Sequence, residues 1–207
     1  MFENNEQTVS DRDEALTWAE KTMAGRPIFL DTETTGLDDA DQVCDIAVVD
    51  FDGVILFETL VKPTVSIPRS ATAIHGIDDQ MVKDAPAFGD IAERLAAVLD
   101  GRQLVVIYNA AFDRKLLRQS ARAVGLADWG FTTPTTCAMT WYAQFWGDWN
   151  DYHGNYKWQS LSAAARGCGL KIPDGIHRAR VDCELTRQVV KFMAGLRTRE
   201  NDDEPGL

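Results

Sequence analysis

The chain has 207 residues, of which 45% are hydrophobic and 26% charged, and its formal net charge is −11. This length and apolar content suit one well-buried domain. We expect neither a membrane helix nor a secretory signal, because the sequence has no apolar run of spanning length and no basic stretch followed by an apolar one; the expected location is the cytoplasm.

Acidic and basic residues are distributed unevenly along the chain. Residues 1–100 contain 7 Lys/Arg and 21 Asp/Glu, whereas residues 101–207 contain 14 and 11. The overall acidity argues against a nucleic-acid partner, because phosphate binding relies on Lys and Arg. In the second half, however, Arg114, Arg118 and Arg122 would form one stripe on a helix. Such a stripe is typical of either a solvated face or a phosphate-binding track.

The first 26 residues are predicted to form an N-terminal segment with one helix. Residues 1–9 are polar and acidic, and we expect them to be loose. A helix is indicated over residues 10–25, because Ser10 can cap its start and Gly25 its end.

An apolar run then leads directly into two alternating carboxylates. Ile28, Phe29 and Leu30 suit a central strand that is covered on both faces. Asp31 and Glu33 follow, and side chains two residues apart on a strand leave on the same face. Neighbouring carboxylates repel each other unless a cation lies between them, and Mg²⁺ prefers oxygen ligands. The pattern therefore indicates either a metal site or a solvated strand end.

Two further strands are predicted next. Residues 42–49 and 54–61 are apolar-rich runs, and the Asp-Gly dipeptide between them is a strong hairpin signal. Together with the first strand they should form an antiparallel meander. A short helix or turn and a longer helix are predicted over residues 71–77 and 88–99.

A second buried strand is predicted over residues 104–108 and is followed by a helix that runs from Asn109 to Gly125. Asp113 lies one turn into this helix. Because apolar residues follow three and four positions later, its carboxylate should lie on or beside the inward face. Residues 131–138 indicate a weaker strand.

The next segment, residues 141–158, is unusually rich in aromatic side chains. They are Trp141, Tyr142, Phe145, Trp146, Trp149, Tyr152, Tyr156 and Trp158. Such density indicates a lid, a protein-partner surface or a base-stacking platform, although packing of most of these rings onto the core is the simpler interpretation. Residues 159–167 are predicted to be helical.

A final helix is predicted from Arg178 to about Gly195. Asp182 begins its otherwise apolar stripe, and a buried carboxylate is costly unless it is paired or bound to a metal. The helix N-terminus also favours its negative charge. Residues 196–207 form an acidic tail, in which we expect residues 200–204 to be solvated and disordered.

Three of these stretches resemble the exonuclease motifs of the DEDDh class, the family of the DnaQ-like proofreading exonucleases. They are Asp31-Thr-Glu33-Thr-Thr-Gly-Leu37, Asn109-Ala-Ala-Phe-Asp113 and His177-Arg-Ala-Arg-Val-Asp182. The resemblance spans residues 27–195, where we expect one exonuclease domain. It implies an α/β ribonuclease H-like fold, with a mixed five-stranded sheet flanked by helices on both sides.

The resemblance also implies stepwise hydrolysis of nucleic acid from a free 3′ end, which releases nucleoside 5′-monophosphates. Two divalent metal ions, Mg²⁺ or Mn²⁺, are the implied cofactors. The metal-binding roles fall on Asp31, Glu33, Asp113 and Asp182, and the general-base role falls on His177. The positions implied to bind substrate are Thr34, Thr35, Gly36, Leu37, His75, Asn109 and Phe112. Core packing is an equal alternative for Phe112.

The sequence departs from the family pattern at three places. Tyr108 stands where many relatives have His, Asp45 stands where many have Glu, and residues 141–158 are longer and more aromatic than expected. The first two departures touch none of the five principal positions, whereas residues 141–158 leave the choice of substrate open. An RNA-trimming exoribonuclease is an alternative, since the fold and the five residues serve both polymers and no 2′-OH discriminator can be read from the sequence. A catalytically idle scaffold, which binds nucleic acid or a protein through residues 141–158 or the acidic tail, is a second alternative. Loss of a metal ligand would favour it, and none is lost.

Overall fold

A computed structural model describes residues 3–172 and 177–202, with side chains described over 10–172 and 177–196. None of the helices in these ranges has the length and apolarity needed to cross a bilayer. In chain order, the elements are α1 (Glu3–Ala24), β1 (Ile28–Thr34), β2 (Val43–Val49), β3 (Ile55–Leu60), α2 (Arg69–His75), α3 (Asp79–Val82), α4 (Phe88–Leu99), β4 (Val105–Ile107), α5 (Ala110–Ala123), β5 (Thr135–Cys137), α6 (Ala138–Trp146), β6 (Trp149–Asn150), β7 (Asn155–Tyr156), α7 (Leu161–Gly167) and α8 (Ala179–Asp202).

The main sheet has five strands in the order β3-β2-β1-β4-β5. The first three strands in the chain pair antiparallel, as the meander prediction requires, whereas β4 and β5 pair parallel to β1 and to each other. This arrangement confirms the predicted mixed five-stranded sheet. Strand β1 lies at its centre because its apolar residues are buried on both faces.

Side-chain alternation along β1 divides the core into two layers. Phe29 packs with residues of α1, α6 and α8 on one face of the sheet. Ile28 and Leu30 pack with residues of α4 and α5 on the other face. Since side chains alternate along a strand, Asp31 and Glu33 share the face of Phe29 and point toward α8.

The two terminal helices are longer than predicted. Helix α1 begins at Glu3, so the expectation that this part of the chain is loose is wrong for residues 3–9. Helix α8 continues past Gly195 to Asp202 and includes the start of the expected disordered tail, whereas residues 203–207 lie outside the described residues. The two helices pack against each other, and this tertiary contact supplies the stabilisation that a short, polar helical stretch lacks on its own.

The aromatic segment has a structure that the sequence did not predict. Helix α6 takes up its first part and a two-stranded hairpin, β6–β7, its second. The rings divide between the core and the surface: Tyr142 and Phe145 are buried, whereas Trp146, Trp149, Tyr152 and Trp158 are exposed. The weaker strand predicted over 131–138 is limited to the three residues of β5.

Candidate active site

Three carboxylates converge at the carboxyl end of β1. Asp31 and Glu33 extend from the same face of this strand, and Asp182 reaches them from the first turn of α8. One carboxylate oxygen from each residue lies within 4.8 Å of the others. The sequence predicted all three, because a two-residue spacing on a strand and a lone acid in an apolar stripe both direct carboxylates inward.

Asp113 approaches the same end of β1 from α5 and is only 4% exposed. Thr32, between the two β1 carboxylates but on the opposite face, donates its hydroxyl proton to Asp113 Oδ1 over 2.8 Å. Thr32 was not among the predicted site residues. The sequence did contain an indication of its role: Thr32 alternates with Asp31 and Glu33 on the strand, so its hydroxyl points toward the layer that contains α5.

The carboxylates repel one another in a largely buried group, in which Asp31 is half-buried and Glu33, Asp113 and Asp182 are buried. Burial raises the pKa of Glu33 to about 8, and repulsion from Asp182 and Asp45 adds to this shift. Burial also raises the pKa of Asp113 to about 7. For Asp31, burial and the charge of Asp113 raise the pKa well above its usual value. Such a group favours a compensating cation, and carboxylate oxygens are the ligands that hard divalent cations prefer.

His177 lies beside Asp182 in an unusual backbone conformation. Its φ is +67°, a left-handed value that residues other than glycine rarely adopt. Its backbone N–H donates to Asp182 Oδ1 over 3.3 Å, and its Nδ1 lies 3.8 Å from Asp182 Oδ2. The side chain is 45% exposed, so the imidazole is held near the carboxylates while one side of it remains open to solvent.

The next residue, Arg178, anchors the start of α8 to the sheet. Its Nε donates over 2.9 Å to Oδ2 of Asp45, whose side chain is only 4% exposed. Asp45 lies opposite Glu33 in the β1–β2 register. From the sequence, Asp45 was predicted only as a departure from the family pattern, and no role was predicted for Arg178. The pair links the backbone next to His177 to the strand next to Glu33.

Hydrogen bonds made by Thr35 cross-link the turn after β1. The Thr35 hydroxyl donates to Asp41 Oδ1 over 2.6 Å and accepts from the backbone N–H of Gln42 over 3.0 Å. A Cβ at Gly36 would lie 2.5 Å from Asp41 Oδ2, so the turn leaves no room for a side chain there. Leu37 follows and is 75% exposed.

The remaining predicted substrate-binding residues differ in accessibility. His75 is buried; its Nδ1 accepts from the backbone N–H of Ile77 over 3.1 Å, and its Nε2 lies 3.1 Å from the carbonyl oxygen of Thr34. Burial lowers the pKa of His75, which favours the neutral ring with the proton on Nε2, bonded to Thr34. Asn109 and Phe112 are half-buried at the start of α5, and Phe112 packs against the core.

Similar sequences identify the family to which this chain belongs. The sequence model of the RNase_T family, described as exonuclease, matches residues 28–190. Uncharacterized exonuclease CP81 of Escherichia phage 186 is 41% identical over 191 residues, which cover 90% of this chain and 94% of the phage protein. The DNA polymerase III subunit epsilon-like protein of Rhodobacter capsulatus is 30% identical over 208 residues, which cover 93% of this chain but only 28% of that protein.

A solved exonuclease structure is also similar to this chain. A structure of Exonuclease X in complex with 5′ overhanging duplex DNA is 29% identical to this chain, with a TM-score of 0.60. The match covers 81% of this chain and 91% of that one. The chain therefore belongs to the DnaQ-like exonuclease family, has its ribonuclease H-like fold and is an exonuclease that acts on nucleic acid.

Proposed function

We propose that this chain is a metal-dependent 3′ to 5′ exonuclease that hydrolyses DNA to nucleoside 5′-monophosphates. The observation that carries the proposal is the convergence of Asp31, Glu33 and Asp182 within 4.8 Å. Asp113 and His177 lie beside them. Each of these five residues belongs to one of the three stretches that resemble the family motifs.

Two relatives support DNA as the substrate. Exonuclease X was solved in complex with duplex DNA that has a 5′ overhang, and the Rhodobacter capsulatus relative is named after a subunit of a DNA polymerase. We infer that this chain acts on the same class of polymer and that its site receives a free 3′ end.

Four carboxylates, those of Asp31, Glu33, Asp113 and Asp182, would hold two divalent cations, Mg²⁺ or Mn²⁺. Their oxygen donors fit such ions. Burial and mutual repulsion raise the pKa values of these carboxyl groups, so a bound cation would displace their protons and compensate the charges of the ionised groups. When bound, the cations would neutralise the attacking and leaving oxygens of an in-line displacement and make water more acidic.

His177 would accept the proton of the attacking water. Its Nδ1 faces Asp182 at 3.8 Å, so a proton on Nδ1 is stabilised by that carboxylate and the lone pair of Nε2 is free to act as a base. Imidazole titrates near neutral pH, which suits this role. The side chain is 45% exposed, so the ring is accessible to water and substrate.

Digestion of matched linear and circular substrates tests the proposal. End-labelled single- and double-stranded DNA and RNA would be incubated with Mg²⁺ or Mn²⁺, and the products sized at single-nucleotide resolution. We expect stepwise release of mononucleotides from the 3′ end of DNA and full resistance of closed circles. Cleavage of circles, or unchanged activity in excess chelator, would contradict the proposal. Faster digestion of RNA than of DNA would support the exoribonuclease alternative.

A further inference from the structure

The hairpin that follows α6 carries exposed aromatic rings outside the carboxylate cluster. We define the aromatic strap as residues 149–158, which comprise the β6–β7 hairpin and the two residues after it. Trp149 is 47% exposed, Tyr152 90% and Trp158 66%. Large aromatic side chains exposed together are typical of an interaction surface.

Contacts to the rest of the protein hold the strap in place. The Tyr156 hydroxyl donates to Asp11 Oδ2 of α1 over 2.6 Å, and the Trp149 ring packs edge-on against Tyr156 with 5.0 Å between centroids. At the base of the hairpin, Lys157 Nζ bonds to Asp148 Oδ1 over 2.9 Å. A surface that is already ordered loses little conformational entropy when a ligand binds.

A tyrosine connects the strap to the catalytic end of the sheet. The buried Tyr108 donates its hydroxyl proton over 2.8 Å to the carbonyl oxygen of Gln159, the residue after Trp158. Tyr108 follows Ile107, which lies opposite Leu30 in the β1–β4 register. Tyr108 is thus the first residue after β4, and Asp31 is the first residue of β1 beyond its last pair with β4. The backbone that follows the strap is therefore hydrogen-bonded to the residue that follows β4, the strand paired with the central strand that bears Asp31 and Glu33.

The chemistry of the strap favours bases over phosphates. Its charged residues are Asp151 and Lys157, and the ammonium of Lys157 is already paired with Asp148. Phosphate tracks depend on available Lys and Arg, whereas aromatic faces stack on any base. Through Gln159 and Tyr108, the strap is also connected to the end of the strand that pairs with β1.

We propose that Trp158 stacks on a base of the bound strand, a few nucleotides from the end being digested, and that Tyr108 positions Trp158 by holding Gln159. This inference rests on the proposed function, because it assumes that a nucleic-acid end enters the carboxylate site. The occupant is a single strand of nucleic acid, or a duplex end opened into single strands.

Strands that lack one base test the contact directly. Dissociation constants of labelled single-stranded DNA would be measured by fluorescence anisotropy in Ca²⁺, for wild type, Trp158→Ala and Trp158→Phe. A series of strands would carry one abasic nucleotide at successive positions from the 3′ end. Val54→Ala, which truncates a 58% exposed apolar residue in the β2–β3 hairpin, is the control.

With intact strands we expect Trp158→Ala to weaken binding at least about fivefold, the lower limit for stacking on one base. Trp158→Phe should retain most of the affinity and Val54→Ala all of it. With wild type, one abasic position should cause a similar loss, and on that strand Trp158→Ala should add nothing. Equal effects of Trp158→Ala on every strand, or no effect at all, would overturn the inference; the second outcome would leave the strap as a surface for a protein.

The binding test is independent of hydrolysis. If wild type binds strands as expected but releases no mononucleotides from the 3′ end with Mg²⁺, the proposed function fails while the stacking contact is supported. If hydrolysis proceeds normally and the abasic series shows no position-specific loss, the stacking inference fails alone. Tyr108→Phe removes the hydrogen bond to Gln159 and should lower the melting temperature, because the net contribution of that bond to stability is lost. It should also weaken binding of intact strands, but should add nothing on the abasic strand for which Trp158→Ala adds nothing.

Discussion

At the scale of single residues, His177 has a left-handed backbone conformation and its side chain lies beside Asp182. We expect His177→Ala to slow single-turnover hydrolysis by about 10²- to 10⁴-fold, because a positioned general base typically contributes this much. The carboxylates are unchanged in this variant, so its stabilisation by Mn²⁺ should remain. Rapid-quench kinetics at neutral pH and melting curves with Mn²⁺ would measure both effects.

His153 provides a matched control for His177, because it is an exposed histidine in the hairpin turn. Because the strap that contains His153 would affect binding and not proton transfer, His153→Ala should hydrolyse at the wild-type rate in single turnover at saturating concentrations. A His177→Ala enzyme that is as fast as wild type in single turnover would show that another group takes the proton.

The Arg178–Asp45 ion pair should contribute to the stability of the fold. Removing the guanidinium leaves a buried carboxylate beside Glu33 without its partner, and such a group costs about 1 to 3 kcal/mol. Arg178→Gln should therefore lower the free energy of unfolding in chelator by about this amount. Asp45→Asn in the same protein should recover part of the loss, because it removes the unpaired charge. Urea denaturation measures both values.

Arg180 is the corresponding control two residues later. Its Nε lies 3.2 Å from Glu58, but both side chains are about half exposed, and exposed pairs contribute at most about 1 kcal/mol. An equal loss of stability in Arg180→Gln and Arg178→Gln would mean that burial of Asp45 does not determine the effect.

At the scale of elements, local patterns predicted the parts that bear the motifs. The Asp-Gly dipeptide predicted the β2–β3 hairpin, where Gly53 adopts a φ of +87°, and the apolar run at Ile28 predicted the central strand. The first turns of α1 and the β6–β7 hairpin escaped prediction. Neither has an apolar periodicity of its own; α1 packs on α8, and Tyr156 is held by Asp11 from a distant part of the chain. Arg178 was missed for the same reason, since its partner lies 133 residues away.

The contact between α6 and α7 depends on a glycine. A Cβ at Gly167 would overlap the hydroxyl oxygen of Tyr142, which is fully buried, and would lie 3.0 Å from the Trp146 ring. Overpacking of this kind costs about 1 to 3 kcal/mol, more than the roughly 1 kcal/mol that alanine gains over glycine in a helix. We therefore expect Gly167→Ala to lower the melting temperature in calorimetry.

Gly195 offers the opposite case within α8. A Cβ there would meet no heavy atom of the described residues within 4 Å. Gly195→Ala should raise stability by about 0.5 to 1 kcal/mol through helix propensity alone. If both alanine variants shift the melting temperature in the same direction, the α6–α7 contact does not restrict position 167.

At the scale of the whole molecule, the carboxylate cluster should make the metal-free protein sensitive to pH. The pKa of Glu33 is raised to about 8 and that of Asp113 to about 7, so the folded chain holds protons that the unfolded chain releases from about pH 4 upward. Unfolding then releases protons in this window, and the free energy of unfolding falls as pH rises. We expect a fall on the order of a few kcal/mol between pH 5 and pH 8 in chelator.

Glu33→Gln isolates the contribution of one carboxyl group to this pH dependence. The glutamine cannot ionise, so the variant should lose less stability than wild type between pH 5 and pH 8 and should be the more stable of the two at pH 8. Urea denaturation across this range in chelator measures the difference. Parallel pH profiles for the two proteins would show that Glu33 does not hold a proton in the folded state.

Stability and function should also separate at Asp31. Burial and the charges of Asp113, Asp182 and Glu33 all oppose its ionisation, so Asp31→Asn removes repulsion from the metal-free fold. We expect this variant to melt at or above the wild-type temperature in chelator and to lose hydrolytic activity. Its melting temperature should also rise less with Mn²⁺, because a ligand stabilises a protein in proportion to its binding to the folded state. Asp84→Asn, at an 88% exposed side chain, should match wild type in all three measurements. An Asp31→Asn protein that melts well below wild type in chelator, yet gains as much from Mn²⁺, would identify Asp31 as a structural residue and place the metal site elsewhere.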